Sequence, residues 1–382
     1  MDLRDVNGAD DWRPHLEGVE AVVNCAGTLQ AGLRDSPAAV HVDSALALWR
    51  ACEESGVRRV VHLSAIGVDR GAVSDFSRSK AIGDSALESS DLDWVIVRPS
   101  VVVGRSAYGG SALFRALASL PILPRIKDTG PLDIVQLDDV AETVRRLVQP
   151  GAASRIALEL VGPDRLDFVE VVAAYRAWLG WPRARQLAVP DFVMTLAWKA
   201  GDLLAWLGWR PPIRSTAKRE IKRGAIGDGR EWRQATGIVP RSLADSFSAE
   251  PASVQERWFS RLYLLKPVVL GVFAAFWLMT GLVSLTVGWT HAVDVMRMTA
   301  AAPLAEAAVI GGAVADLVVG AAILFRRTAK PALIAALFVS ILYLVLGTIL
   351  LPALWADSLG PMMKVWPILA LNLVCLAILD ER

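Results

Sequence analysis

The sequence predicts a doubly wound α/β domain with a parallel sheet, then a helical subdomain, then four transmembrane helices. Three observations carry that prediction. Short apolar runs alternate with segments of helical period between residues 20 and 165, and such alternation implies crossover connections and a parallel sheet. Pro267–Thr290 holds no charged side chain across 24 positions, and Pro331–Ala356 holds none across 26. A bilayer core of about 30 Å needs roughly 20 apolar residues of helix, so either run is long enough to span it. Between these parts, residues 166–265 carry two amphipathic stretches rich in tryptophan. The expected organisation is therefore 1–165, 166–265 and 266–382.

Each element of the first part has a local cause. Glu20–Gly27 is a short apolar run ending in glycine, as a buried parallel strand would be. Ser36-Pro37 opens a helix, serine as cap and proline at the first position, and the helix runs to Gly56. Arg58–Ser64 is the next strand, Ser77–Ser89 a helix, Asp93–Arg98 a strand, Asp138–Val148 a helix and Arg155–Val161 a closing strand. Phe168–Leu179 and Val189–Leu207 alternate at helical period, with Trp178, Trp181, Trp198, Trp206 and Trp209 among or just after them. The basic run Arg214–Arg223 follows. Tryptophan beside basic residues suits a helix lying at lipid headgroups, and equally a small substrate-binding subdomain with tryptophan in its core.

The last part reads as spans at about 267–289, 303–325, 331–355 and 361–379, the fourth having an apolar core of only Val365–Leu379. Arg257, Arg261 and Lys266 precede the first span, and Arg326, Arg327 and Lys330 link the second to the third, whereas the opposite loops hold only Arg297 and Lys364. The excess of basic residues places both termini and the α/β domain in the cytoplasm of a bacterial-type inner membrane. Asp316 falls inside the second span and must face the bundle interior, pair with a polar group or be protonated. It reads either as a proton or quinone site or as a helix-packing polar group. Gly311-Gly312 and Gly320 suit close helix packing. With four spans and Lys266-Pro267 opening the first, this region resembles the DoxX-like family of small four-helix membrane domains.

Composition excludes some functions. The net charge is +1 over 382 residues, so no global attraction to nucleic acid is expected. Cys25, Cys52 and Cys375 have no metal-ligand spacing, and their odd number argues against a disulfide framework. A reducing cytoplasmic setting for residues 1–265 follows. The start Met1–Asp5 is polar and shows no signal peptide. His15, His41 and His291 form no metal set.

Five motifs in order carry a further resemblance: Asp2-Leu-Arg-Asp5, Asn24-Cys-Ala-Gly27, His62-Leu-Ser64, Phe76-Ser-Arg-Ser-Lys80 and Arg98-Pro-Ser100. Over residues 1–250 the chain resembles the atypical or extended short-chain dehydrogenase/reductases. The nearest branch includes NmrA-like proteins and the NAD(P)H-binding accessory subunit of respiratory complex I. The resemblance implies a Rossmann-like domain holding NAD or NADP. It would set Asp2 and Leu3 near the adenine and have Asn24, Ala26 and Gly27 line the cofactor. Ser64 would orient a substrate carbonyl, Lys80 would bond the nicotinamide ribose, and Pro99-Ser100 would flank the nicotinamide. A strand ending in small residues lets a dinucleotide approach.

Two departures matter. The family's glycine-rich loop, which sets pyrophosphate on a helix N-terminus, is absent. Roughly 50 residues, a βαβ unit or more, would precede Met1, through a late start assignment or a true truncation. The family's Tyr-x-x-x-Lys sets a phenol and an ammonium four residues apart on one helix face. Phe76 stands at the tyrosine position and Lys80 at the lysine. The nearest hydroxyls are Ser74, Ser77 and Ser79, and Tyr108 follows in the loop after Ser100. His62 shares a strand face with Ser64 and reads as a packed histidine with no acid placed to orient it, rather than as a base. Two functions follow as expectations. One is membrane-anchored redox or epimerase/dehydratase chemistry on a lipophilic substrate, through Ser64 and Lys80. The other is a non-catalytic nucleotide sensor or assembly factor for a membrane (respiratory) complex.

Overall fold

A computed structural model describes residues 2–3, 5–32, 36–106 and 109–379. Residues 1–206 with 210–261 form one compact unit, and 207–209 with 262–382 form a second.

The first unit is built on strands β1 (Ala21–Asn24), β2 (Arg59–Leu63), β3 (Asp93–Pro99) and β7 (Ile156–Leu160), all parallel and adjacent in that order. Alternate side chains serve two cores. Val60, Trp94 and Ile96 pack on helices α1 (Ser44–Ser55) and α2 (Asp75–Glu88). Their neighbours Val61, Val95 and Val97 pack on α4 (Leu137–Leu147) and on Trp232 of α8 (Arg230–Thr236). The period-2 alternation thus gives helices on both faces, the doubly wound architecture. Ser36 caps the first helical turn through Ala39 N at 3.2 Å, a π-helical turn spans Ala39–Asp43, and Gly56 ends α1 with φ +73°. That left-handed conformation favours glycine.

A second core forms where β4 (Val101–Val103), α3 (Gly110–Ala118), β5 (Ile122–Arg125), β6 (Leu132–Gln136) and α5 (Phe168–Trp178) meet. β4 pairs parallel with β6, β6 antiparallel with β8 (Arg165–Leu166), and β5 parallel with β9 (Arg185–Ala188). The stretch expected to be helical therefore supplies two short strands as well as α6 (Asp191–Trp206), α7 (Ser215–Arg223) and α9 (Leu243–Ala249). Trp178 and Trp181 pack against this core and Trp198 is buried, so these three are core residues. Trp206 is 61% exposed.

In the second unit, among the described residues, three helices are long and apolar enough to cross a membrane. They are α10 (Val254–Leu285), of which residues 262–285 belong to this unit, α12 (Ala305–Leu324) with the 3-10 turn before it, and α13 (Arg326–Leu350). α14 (Val365–Leu379) is apolar but has 15 residues, short of a full span, and α11 (Trp289–Arg297) is a short helix after α10. The expected first span began at Pro267, yet α10 continues through that proline. Asp316 is buried and accepts from the Tyr343 hydroxyl at 2.8 Å. Helices α10 and α12 touch at glycines: a Cβ on Gly281 would lie 2.6 Å from Ala313 O, and one on Gly320 2.8 Å from Leu278 N. Gly311, expected at a helix contact, has nothing within 4 Å of that position.

Candidate active site

The expected site residues gather at the carboxyl ends of β1 and β2, where parallel sheets bind ligands. Asn24 and His62 are register partners. The Asn24 amide lies 3.2 Å from His62 Nδ1, and its Oδ1 accepts from Ala26 N at 3.0 Å. That closes an Asx turn and sets the loop Ala26-Gly27. Lys80, buried on α2, donates from Nζ to Leu63 O at 2.7 Å and to Ala26 O at 3.3 Å. Burial pushes its pKa down to about 8, against the opposing pull of Asp84. A Cβ on Gly27 would lie 3.6 Å from both Lys80 Nζ and His41 Nε2. Asn24, Ala26 and Lys80 therefore form one bonded group, with Gly27 close against Lys80 and His41.

Asp84 was not anticipated. It is buried one helical turn past Lys80, the i,i+4 spacing that shares a face. Its Oδ2 accepts from Ser64 Oγ at 2.9 Å and Arg98 Nε at 3.0 Å. The expectation that no acid stands by His62 is thus corrected: His62 Nε2 is 3.4 Å from Asp84 Oδ1. That spacing exceeds a well-formed hydrogen bond. Burial raises the Asp84 pKa, yet His62, then Ser64 and Arg98, together hold it below the usual range. The Ser64 hydroxyl is thereby committed to a carboxylate.

Phe76 is placed by the cap of α2 and meets His41 edge-on, ring centroids 5.6 Å apart. His41 Nε2 accepts from Thr28 N at 3.0 Å and Nδ1 lies 2.8 Å from Ser79 Oγ. Burial and then Lys80 lower its pKa to about 3, so the ring is neutral and fixes the Gly27-Thr28 segment. The serines near Phe76 are all engaged. Ser79 Oγ donates to Phe76 O at 3.0 Å, Ser77 Oγ to Glu220 Oε1 at 3.0 Å, and Ser74 Oγ to the same carboxylate. Tyr108 lies outside the described residues.

Leu3 and Asn24–Ala26 line a cleft of about 370 Å³ beside β1, an edge strand among the described residues. The cleft runs along β1 and reaches its carboxyl end at Asn24–Ala26. Asp2 precedes it in sequence, and its carbonyl accepts from Asp5 N at 3.0 Å. Pro99 ends β3, while the Ser100 hydroxyl is locked onto Ala225 O at 2.8 Å and onto Asp133 O. Ser100 is thus not joined to the Lys80 group.

Residues 3–114 match the NAD(P)H-binding family model, and residues 274–373 match the DoxX-like family. The chain joins an NAD(P)-binding domain to a DoxX-like membrane domain. A ceramide reductase of Caulobacter vibrioides is 23% identical over 59% of this chain and 78% of its own length. Sterol demethylase protein B of Methylococcus capsulatus is 27% identical over 67% of this chain and 84% of its own. Subunit 9 of the mouse mitochondrial NADH dehydrogenase [ubiquinone] 1 alpha subcomplex is 23% identical over 59% and 58%. Among solved structures, a mutant Bacillus cereus UDP-glucuronic acid 4-epimerase with NAD covers 69% of this chain and 81% of its own at TM-score 0.50 and 15% identity. That likeness concerns the fold alone.

Proposed function

We propose that the chain is a membrane-anchored oxidoreductase that uses NAD or NADP on a lipophilic substrate, with Lys80 in place of the missing tyrosine as proton donor. The observation that carries this is Lys80 itself. An ammonium has three donors; two go to Ala26 O and Leu63 O, and the third is uncommitted among the described residues. Its pKa of about 8 suits a donor working near neutral pH. When bound, the nicotinamide would supply or accept hydride. Asn24, Ala26 and Gly27 would form the floor under it, with Leu3 and Asp2 toward the adenine and Pro99 and Ser100 beside the nicotinamide. Lys80 Nζ would release a proton to the substrate oxygen as negative charge develops there, and water would restore it. Ser64 and Asp84 would hold the strand end rather than the substrate.

The lipophilic substrate is supported by α6. Phe192, Leu196, Leu203 and Trp206 recur at helical spacing and are 60–73% exposed, an apolar stripe suited to the bilayer surface. The basic loops support an inner membrane with the nucleotide-binding domain and both termini cytoplasmic. The related sterol demethylase and ceramide reductase names agree with a lipid-side substrate.

A second reading, nucleotide binding without turnover in contact with a membrane complex, is favoured by Phe76 and by the commitment of Ser64 to Asp84. Oxidation of NADH and NADPH by full-length protein in nanodiscs, with a membrane lipid extract added, separates the two. Turnover in the parent that Lys80→Met abolishes supports the first. Turnover that appears only in Phe76→Tyr supports the second. Protein that binds neither nucleotide would contradict both.

A further inference from the structure

A second cavity, of about 220 Å³, shares no lining residue with the cleft beside β1. A single water needs roughly 10–15 Å³ of such volume, so this one has room for a small molecule or a headgroup. Val103 and Gln136, register partners at the carboxyl ends of β4 and β6, both line it. The cavity therefore opens where parallel strands end, the position at which such sheets take ligands.

Two side chains of a lining that also includes Asp138 and Glu250 hold donors that call for an acceptor. Arg115 lines the cavity and is 4% exposed, yet no acid pairs with it among the described residues. Its Nη1 and Nη2 donate to the Arg105 carbonyl at 3.0 and 3.1 Å, Nη2 also reaches Gly104 O, and the rings of Tyr175 and Trp178 stand 5.9 Å from the guanidinium carbon. Among the described residues Nε is buried without an acceptor. Gln136, 6% exposed, likewise has Nε2 buried and unpartnered. The other lining arginines are matched: Arg105 with Glu256 at 3.1 Å, and Arg241 with Asp138 at 3.1 Å. A buried guanidinium that meets carbonyls, rings and the Tyr175 hydroxyl but no carboxylate among the described residues is an uncompensated charge, which folded proteins carry at a cost unless something balances it. Two unpartnered donors beside that charge match an oxyanion. Tyr175 and the stacked pair Trp178 and Phe247 supply an aromatic wall next to it.

We propose that this cavity binds an oxyanion, a carboxylate or a phosphate, on Arg115 Nε and Gln136 Nε2, with the apolar remainder of the ligand on the Trp178–Phe247 wall. The site is independent of the nucleotide cleft and of whether the protein turns over.

Binding of inorganic phosphate, phenyl phosphate and benzoate to full-length protein in phosphatidylcholine nanodiscs, by calorimetry, tests it. A parallel set uses nanodiscs containing phosphatidic acid. Phenyl phosphate should bind more tightly than phosphate. Gln136→Leu should weaken binding about tenfold or more, the usual cost of one hydrogen bond to a charged group. Arg115→Met should weaken it further. Because Arg115 also ties down the Gly104 and Arg105 carbonyls, that variant can fail to fold, and Gln136→Leu, which removes an amide whose Nε2 is unpartnered among the described residues, then decides. If the soluble anions do not bind but phosphatidic acid does, with the same loss in Gln136→Leu, the oxyanion is a lipid headgroup. Absence of saturable binding in both sets, or equal binding by parent and Gln136→Leu, overturns the proposal.

Discussion

Replacing Asp84 with asparagine keeps the shape of the side chain and removes the charge on which Ser64 and Arg98 converge. Asp84 is buried, with its Oδ2 accepting both donors at 2.9 and 3.0 Å. An amide in its place must turn its N–H₂ toward one of them or leave a donor unmet. Breaking a buried ion pair from one side costs about 3–5 kcal/mol. Arg98 retains Asp69 at 3.1 Å and Glu88 at 3.3 Å, so its charge is not orphaned and the lower figure, about 3 kcal/mol, applies. For a unit of this size 1 kcal/mol moves the melting temperature by roughly 2–4 °C, which gives a fall of about 6–12 °C. The assay is thermal unfolding of the full-length protein in detergent, followed by circular dichroism. Asp69→Asn is the control, since it removes a half-exposed partner of the same arginine, worth about 1 kcal/mol or less. If Asp84→Asn lowers the transition no more than Asp69→Asn, the carboxylate is not the centre of this network.

Two further outcomes follow. His41 has a folded pKa of about 3 against an ordinary 6.5, so the unfolded chain binds the extra proton and stability falls as pH drops through that window. Buried His62 shifts in the same sense. The loss from His41 should be about 1 kcal/mol at pH 5.5 relative to pH 7.5, and melting curves of His41→Gln should show a smaller difference between those two pH values. In the membrane domain, Gly320→Ala would set a Cβ 2.8 Å from the backbone of Leu278 and force α10 from α12. We expect about 1–3 kcal/mol of destabilisation, seen as early loss of the monodisperse peak on heating in detergent, while Gly311→Ala, which meets nothing, leaves it unchanged.

The central sheet was legible because its strands are continuous apolar runs closed by turn signals. Each of the four lies within its expected range or within a residue of it. The second core was not. β4 and β6 are short, and β6 follows Gly130-Pro131, punctuation that reads as loop. The charge-free run starts at Pro267, which set the expected start of the first span, although α10 already carries a regular turn from Val254. At the site, residue types were readable from motif order, but their partners were not. Ser64 meets a carboxylate 20 residues away, and Ser77 meets Glu220 from 143 residues away. Those pairings come from topology, which no local pattern encodes. Asp84 had one local signal, its spacing from Lys80, and His41 had none.

The account rests on Lys80 Nζ pinning the Ala26 carbonyl and so the Asn24–Gly27 loop on which the nucleotide would lie, and fluorescence titration of NADH and NADPH into full-length protein in nanodiscs tests that most directly. The parent should bind one of them saturably, and Lys80→Met should weaken binding about tenfold to a hundredfold, the worth of a hydrogen bond from a charged donor. Affinity in the parent should also fall as the pH rises past about 8, where the ammonium loses its proton, and Lys80→Met should show no such decline. Saturable binding that is equally tight in Lys80→Met would contradict the account.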